Sequence, residues 1–398
     1  MTPCVEITIA PKEAPGIRNG EPDVAALGPL QLRRVSTLTA AERRALERLA
    51  YKFGESPESY LAIEPERFCL VVPDFSAAIS VIPAGRCLHC SGGLLAPVSV
   101  RRAMVRCLSE YARQTQRLIA CYSVGEADRP FFEEAGWEVS KFGEDPTIRL
   151  GDLDWKGKSF EWVRRQANYC RRKGLVVREI DHRALAPEAW HTLKSELAEI
   201  HTSDLRNRIY SREMNLLTGK FQPDNLESRR LFIAENPQLG RIAAFIIANP
   251  MQGGKSWALE SFRRRHEAIR GSIPFLMKSI IDALQEEKVE SASLSLLIWK
   301  DCRRFRGNRM SRLLSRCLIM GYEIGNLLYH TKGLTHFKTR FRPELKACYL
   351  CVTPQTTPLS ILNFLYTVGA FSIDLPNCFR LTCRGIIRAL RRSTSHTP

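Results

Sequence analysis

Residues 257–275, reading WALESFRRRHEAIRGSIPF, constrain the fold more tightly than any other part of the chain. An apolar alternation (Trp257, Leu259) predicts a strand that delivers one carboxylate, Glu260, and three residues later Arg263. A basic loop with Arg264, Arg265 and His266 follows and reaches Arg270-Gly271-Ser272. Beyond it, Ile273, Leu276, Ile280, Ile281 and Leu284 recur at the spacing of an amphipathic helix. Ser272 is the expected N-cap, and Gly271 lets a ligand approach the backbone. Strand, glycine-containing basic loop and helix start together make an anion site, because the first helical N–H groups are unpaired and the dipole favours negative charge. The expectation is a phosphate-bearing substrate held there beside a carboxylate and an arginine. A helix start with a merely solvated basic loop is the plainer alternative.

A chain of 398 residues is long enough for two domains, each with its own core. Its net charge of +17 points to polyanionic partners: nucleic acid, an anionic membrane surface, or both. The N-terminal residues carry prolines and acids where a secretory signal would be apolar, and the apolar run 359–371 is about half to two-thirds of a membrane span. A cytoplasmic protein, peripheral at the inner face of the membrane, is therefore expected. Thirteen scattered cysteines read as reduced thiols. Cys87-x-x-Cys90 and Cys348-x-x-Cys351 sit in strand-like runs that put one cysteine on each face, so no metal site is expected.

In chain order, residues 1–27 read as a disordered leader and 28–152 as a first α/β unit without a catalytic constellation. It opens with a helix capped by Thr39, with Leu46, Leu49 and Phe53 on one face. A second unit, 153–355, opens with a helix whose Phe160, Val163, Ala167 and Cys170 form the apolar stripe. Arg164, Arg165, Arg171, Arg172 and Lys173 cover its other faces, with Glu161 the one acid among them, as a nucleic-acid footprint would. Residues 331–352 interleave Lys332, Lys338, Arg340, Arg342 and Lys346 with Phe337, Phe341 and Tyr349, which suits stacked bases and phosphates or an ordinary sheet edge. Residues 356–398 form a basic tail: after Asp374 no acid remains, while Arg380, Arg384, Arg388, Arg391 and Arg392 follow. That tail is expected to touch anionic membrane.

Five segments in this order carry a family likeness: FGEDPTIRL, GKSFEWVRRQANYCRRKG, GKFQPDNLESRRLFIAE with GRIAAF, ESFRRRHEAIRGSIPFL, and KGLTHFKTRFRPELKACYL. Over roughly residues 70–352 the chain resembles the soluble C-terminal catalytic domain of bacterial phosphatidylglycerol lysyltransferases, the aminoacyl-phosphatidylglycerol synthases. The resemblance implies an α/β architecture of mixed sheets in two tandem acetyltransferase-like (GNAT) folds. It also implies transfer of an amino acid from aminoacyl-tRNA to a lipid hydroxyl, with no further cofactor. The family's carboxylate-x-x-Arg signature falls on Glu260 and Arg263, its glycine loop on Gly271 and Ser272, and its C-terminal basic signature on Lys332 and Lys338. The chain departs from the family pattern by having Glu260 where Asp is usual and Arg270 where Asn is usual.

In that chemistry Glu260 is the candidate base or ammonium anchor, and Arg263 the candidate electrostatic stabiliser. Arg265, Arg270, Gly271 and Ser272 would hold a phosphate, Lys332 and Lys338 the tRNA end or the lipid phosphate, and the 164–173 arginines the tRNA. Two other classes fit parts of the pattern: a GNAT acyltransferase using acyl-CoA, and a non-catalytic module binding nucleic acid or membrane. The dense arginine content exceeds what acyl-CoA needs, and a carboxylate inside a basic cluster is unhelpful to a purely polyanion-binding module.

Overall fold

The architecture is that of a computed structural model describing residues 27–206, 216–223, 226–302, 314, 316–321 and 331–371. Residues 1–26 of the expected leader, the 303–313 basic stretch and the arginines after Asp374 lie outside the described residues, whereas Leu27, placed in the leader from sequence, is buried in the core of the first cycle.

Two cycles of the same element order follow one another. The first runs β1 (Gln31–Arg34), α1 (Ala40–Phe53), β2 (Phe68–Val71), β3 (Ala78–Ala84), β4 (Cys87–Leu95), α2 (Val98–Thr115), β5 (Leu118–Gly125), α3 (Arg129–Glu134) and β6 (Glu138–Arg149). After α4 (Glu161–Arg172) the second runs β7 (Val176–Ile180), α5 (Pro187–Arg206), β8 (Arg230–Asn236), β9 (Arg241–Met251), β10 (Ser256–Arg264), α6 (Ser272–Glu286) and β11 (Ser291–Ser293). The short β12 (Leu297–Ile298), α7 (Thr331–Thr339), β13 (Glu344–Thr353) and α8 (Pro358–Thr367) follow, with further helical residues at 314 and 316–321.

Both cycles share one mixed sheet, ordered β1-β2-β3-β4-β5-β13-β6-β11-β10-β9-β8-β7, with β12 on β6. Reading inward from either edge gives the same succession of strands, so the cycles are related by an approximate two-fold. Each has one parallel pair among the described strands, β4 with β5 and β10 with β11. Both pairs are short and then part. β4 leaves β5 after Cys90↔Cys121, and β10 leaves β11 after Ala258↔Ser293. The sheet is continuous across residue 152, because β13, late in the chain, is hydrogen-bonded between β5 and β6 of the first cycle.

Local chemistry explains the elements. Thr39 and Glu42 cap α1 reciprocally, and Leu46, Leu49 and Ala50 bury its inner face. In α6 every apolar position of the predicted stripe is buried: Ile273, Leu276, Ile280, Ile281 and Leu284. Its start differs from expectation. Gly271, at φ 104°, is the N-cap, and Ser272 is the first helical residue, fully buried. The positive φ selects glycine at the cap, and the Gln166 side chain of α4 lies directly against it. In the second cycle the alternation along the strands separates two cores. Phe232, Ala244, Ile246, Ala248 and Leu259 pack under α4 and α6, whereas Leu231, Ile233, Phe245 and Ile247 pack under α5. The cysteine pairs divide in the same way, Cys348 and Cys351 joining different cores.

Candidate active site

Glu260 sits in an irregularity of β10: the register to β9 shifts between Leu259 and Ser261, leaving Glu260 without a Cα partner. In a regular strand residues 260 and 263 would face opposite ways. The extra residue turns both toward the α5 side. There the Gly219 amide donates to Glu260 Oε1 at 2.7 Å and Asn249 Nδ2 donates to Oε2 at 2.6 Å. Arg263 goes to α5 instead, donating to His201 Nδ1 at 3.2 Å and lying 3.9 Å from Asp204. Glu260 and Arg263, three residues apart, therefore turn to different partners and make no ion pair with each other. His201 in turn stacks on Phe221, from the loop that carries Gly219.

The first half of the chain, read from sequence as scaffold, supplies much of the surrounding polar interior. Ser91 of β4 accepts Arg67 Nη1 at 2.8 Å, and Arg67 Nε donates to Glu64 at 3.1 Å. Glu64 Oε1 accepts the Lys220 amide at 3.1 Å and lies 3.7 Å from Arg229 Nη2. The next amide back, Gly219, holds Glu260. A continuous polar path therefore joins the parting of β4 and β5 to that of β10 and β11. Glu58, Glu64, Arg67 and Arg229 are all buried along it. Nothing in the sequence marks Glu58, Glu64 or Arg67, because the chain returns to them only in three dimensions. Asp145, Gly219 and Arg229 lie within the segments that carry the family likeness, which was the available signal.

This environment sets the titrations. Burial raises Glu260 from 4.5 to about 7; Glu64 and Glu58 add to the rise while the Gly219 amide and Arg229 oppose it. Burial likewise lifts Glu58 to about 7, against the hydrogen bond from Ser56. Asp145, which accepts from Ser293 and Thr147, is also raised by burial. The cation among them is Lys338, buried on α7 with Nζ donating to Ser295 O at 2.8 Å. Burial lowers it to about 8, although Asp145, Glu58 and Glu260 favour its charged form. Lys332, one face round on α7, is exposed.

The remaining predicted residues gather elsewhere. Arg165, Gln166, Asn168, Tyr169, Arg171 and Arg172 of α4 join Arg270 around a cleft of about 720 Å³. Gly271 lies directly beside Gln166. Arg172 and Arg270 make no ion pair among the described residues. Two of the predicted arginines have internal partners instead. Arg164 donates to Trp155 O and Gly157 O, and Arg265 to Ile242 O, Glu196 and Glu199. The cleft and the Glu260 carboxylate are thus carried on opposite faces of β10, rather than side by side as the sequence suggested.

The family model for the C-terminal part of phosphatidylglycerol lysyltransferase matches residues 48–352. The chain belongs to that family. Among its relatives, the lysylphosphatidylglycerol biosynthesis bifunctional protein LysX of Rhodococcus opacus is 22% identical over 86% of this chain and 30% of its own length. The phosphatidylglycerol lysyltransferase of Bacillus subtilis is 22% identical over 68% of this chain, again covering 30% of the relative. The chain spans 30% of the length of each of these two relatives. Solved structures share the fold. L-PGS from Bacillus licheniformis superposes with a TM-score of 0.68 at 18% identity, covering 83% of this chain and 97% of that one. A C-terminal domain from Agrobacterium fabrum, assigned to a lysylphosphatidylglycerol synthetase, gives 0.68 at 22% identity, over 82% and 95%. Membership of the phosphatidylglycerol lysyltransferase family thus joins the tandem α/β architecture. No helix among the described residues is long and apolar enough to cross a membrane.

Proposed function

We propose that the chain transfers an aminoacyl group from aminoacyl-tRNA to a hydroxyl of a lipid such as phosphatidylglycerol. The observation that carries this reading is the half-buried Glu260 carboxylate, raised to about 7 at the parting of β10 from β11. A base that titrates near neutral pH can both take and return a proton. Glu260 removes the proton of the lipid hydroxyl as its oxygen attacks the ester carbonyl of the aminoacyl-tRNA. A new carbon–oxygen bond forms, the bond to the terminal ribose oxygen breaks, and Glu260 returns the proton to that ribose oxygen. An aminoacyl ester is already activated, so positioning, base catalysis and charge stabilisation suffice. Lys338 keeps positive charge beside Glu260, and Arg263 orients the α5 side of the site through His201.

The α4 cleft is the tRNA contact in this reading. Arg165, Arg171, Arg172 and Arg270 offer phosphate partners, and half-exposed Tyr169 offers a stacking surface. Its separation from Glu260 across β10 suits a long substrate, reaching the chemistry with one end while phosphates are held elsewhere. Arg265 and Arg164 are assigned to structure on the strength of their internal partners. A peripheral position at an anionic membrane follows from a lipid acceptor and the charge of +17. Incubating the purified chain with charged tRNA plus phosphatidylglycerol vesicles, and separately with acyl-CoA, tests the reading. Labelled aminoacyl-lipid from the first mixture alone is expected. Product only from acyl-CoA, or from neither, removes it.

A further inference from the structure

Helix α8 has its polarity inside out. Its inner side is fixed by Asn363, which meets His89 Nε2 at 2.7 Å and donates to Ala84 O at 3.1 Å, and by buried Ser360 and Thr367. Phe364 anchors it further, stacked on Tyr122 at 5.0 Å. The outward side carries Leu359, Leu362 and Tyr366, which are 73%, 52% and 73% exposed, and Phe371 beyond the helix end is 59% exposed. Residues 359, 362 and 366 share one helical face.

Three observations say what medium this face meets. No residue between Lys346 and Asp374 carries charge, although a quarter of the chain is charged (25%). A polyanion such as tRNA has nothing to pair with there. After Asp374 come five arginines and no acid, the flank that an apolar interfacial helix needs beside anionic headgroups. Lastly, Phe364 packs on the same core as Leu216 and Leu217, just ahead of the Gly219 amide that holds Glu260. The exposed face therefore lies over apolar packing that leads to the reacting carboxylate.

We propose that α8 is a membrane-docking element, whose Leu359, Leu362 and Tyr366 face, with Phe371, enters the headgroup–acyl boundary of an anionic bilayer. The inference deepens the lipid-acceptor reading above and rests on it for its purpose: it brings the acceptor lipid to the Glu260 side of the molecule. The face would lie in the interface plane rather than span the bilayer.

The test uses the full chain and the triple variant Leu359→Gln, Leu362→Gln, Tyr366→Gln. Both are sedimented with vesicles of phosphatidylcholine alone and of phosphatidylcholine mixed with phosphatidylglycerol. The native chain is expected to bind the mixed vesicles, and the variant to bind roughly tenfold or more weakly, with unchanged melting temperature and elution volume. Transfer to vesicle lipid should fall in parallel, while transfer to detergent-dispersed lipid stays at the native level. Unchanged vesicle binding by the variant overturns the proposal. So does a native dimer that the variant dissolves with vesicle binding intact, since a second copy would then cover the face. A lowered melting temperature with intact vesicle binding also overturns it, because the face would then be covered by the chain's own C-terminal segment. If vesicle binding depends on α8 but neither lipid preparation yields product, docking stands and the transfer reading is what fails.

Discussion

The Gly219 amide and the Glu260 carboxylate, 41 residues apart in sequence, meet at 2.7 Å. The contact fastens the largely buried 216–223 segment onto the irregular point of β10, and the neighbouring Lys220 amide fastens the same segment to Glu64 of the first cycle. One short stretch of backbone therefore ties the two cycles together at the candidate base. A carboxylate with two donors would ordinarily be held low. Here burial and the nearby Glu58 and Glu64 outweigh them, and Glu260 stays near neutrality.

Replacing Glu260 by Gln keeps the size, and a flip of the Asn249 amide preserves both hydrogen bonds. Transfer should fall by roughly two to four orders of magnitude. The stability effect has the opposite sign. Because the folded value is raised, from 4.5 to about 7, native stability is lost as pH climbs between those values and stays lost above. Glu260→Gln should therefore melt higher than the native chain at pH 8, by an amount on the order of 2 kcal/mol, and alike near pH 4. Melting curves at the two pH values, with a transfer assay, check both parts; a folded, fully active variant would remove Glu260 from the mechanism.

Lys338→Met removes the cation that Asp145, Glu58 and Glu260 surround. Without it Arg229 still opposes the rise, but one cation fewer offsets the carboxylates, so the Glu260 proton is held to higher pH. Native transfer should rise with pH up to about 7 and level off as Glu260 ionises. In Lys338→Met that limb should move upward by roughly a unit, with slower transfer at pH 7 and partial recovery at pH 9. A pH–rate profile superimposable on the native one would show that Lys338 does not act through Glu260.

What the sequence disclosed followed from local rules. The apolar stripe of α6, the Thr39 cap of α1 and the division of Cys348 from Cys351 each need only periodicity or a neighbouring residue, and each is as expected. The family motifs led to Glu260 and Lys338, and both enter one buried polar interior. The rest required tertiary knowledge. Glu58, Glu64 and Arg67 reach that interior from a 3-10 turn (Ser59–Ile63) and its flanks, with no repeat or charge pattern to single them out. A single inserted residue in β10 decided which way Glu260 points, and strand alternation does not reveal such irregularities. Among the α4 arginines, composition cannot separate Arg164, folded back onto Trp155 O, from Arg172, which lines the cleft.

That last difference is testable. Arg164→Gln strips two backbone carbonyls of a charged donor, and should cost about 1–3 kcal/mol with little change in the salt dependence of tRNA binding. Arg172→Gln with Arg270→Gln should do the reverse. The fold should melt normally, while affinity for tRNA drops and the slope of log affinity against log salt becomes shallower by about 1–2. Thermal melts and binding titrations at several salt concentrations separate the two; equal salt slopes for native chain and double variant would remove the cleft from tRNA recognition.

Arg265 is expected to behave as a fastener. Its guanidinium joins β9 through Ile242 O at 2.8 Å to Glu196 and Glu199 of α5, at 2.9 and 3.0 Å. Glu199 is exposed, so most of the contribution comes from the buried carbonyl and Glu196. Arg265→Ala should destabilise by about 2 kcal/mol. Any loss of transfer at low temperature should be small once the folded fraction is accounted for. Denaturant melts beside single-turnover rates give the comparison, and a stable but inactive Arg265→Ala would return this residue to the substrate site.

Gly219→Ala probes the Gly219–Glu260 contact from the backbone side. A methyl there would lie 2.7 Å from Leu61 Cδ2, 3.1 Å from Glu64 Oε1 and 3.5 Å from Glu260 Oε2. Leu61 is fully buried, so its side chain has no free space into which to withdraw, and Glu64 is held by Arg67. The loop must therefore back away, lengthening the bond from the Gly219 amide to Glu260. We expect a cost of about 1–3 kcal/mol in stability and at least roughly a tenfold loss of transfer, since misplaced catalytic groups are penalised steeply. The steric origin makes a stricter demand. In a Leu61→Ala background the methyl has room, so adding Gly219→Ala there should cost much less than it does in the native chain, with a coupling of about 1 kcal/mol or more. Independent, additive effects in the four-protein cycle would mean that Gly219 is not held against Leu61 at this site.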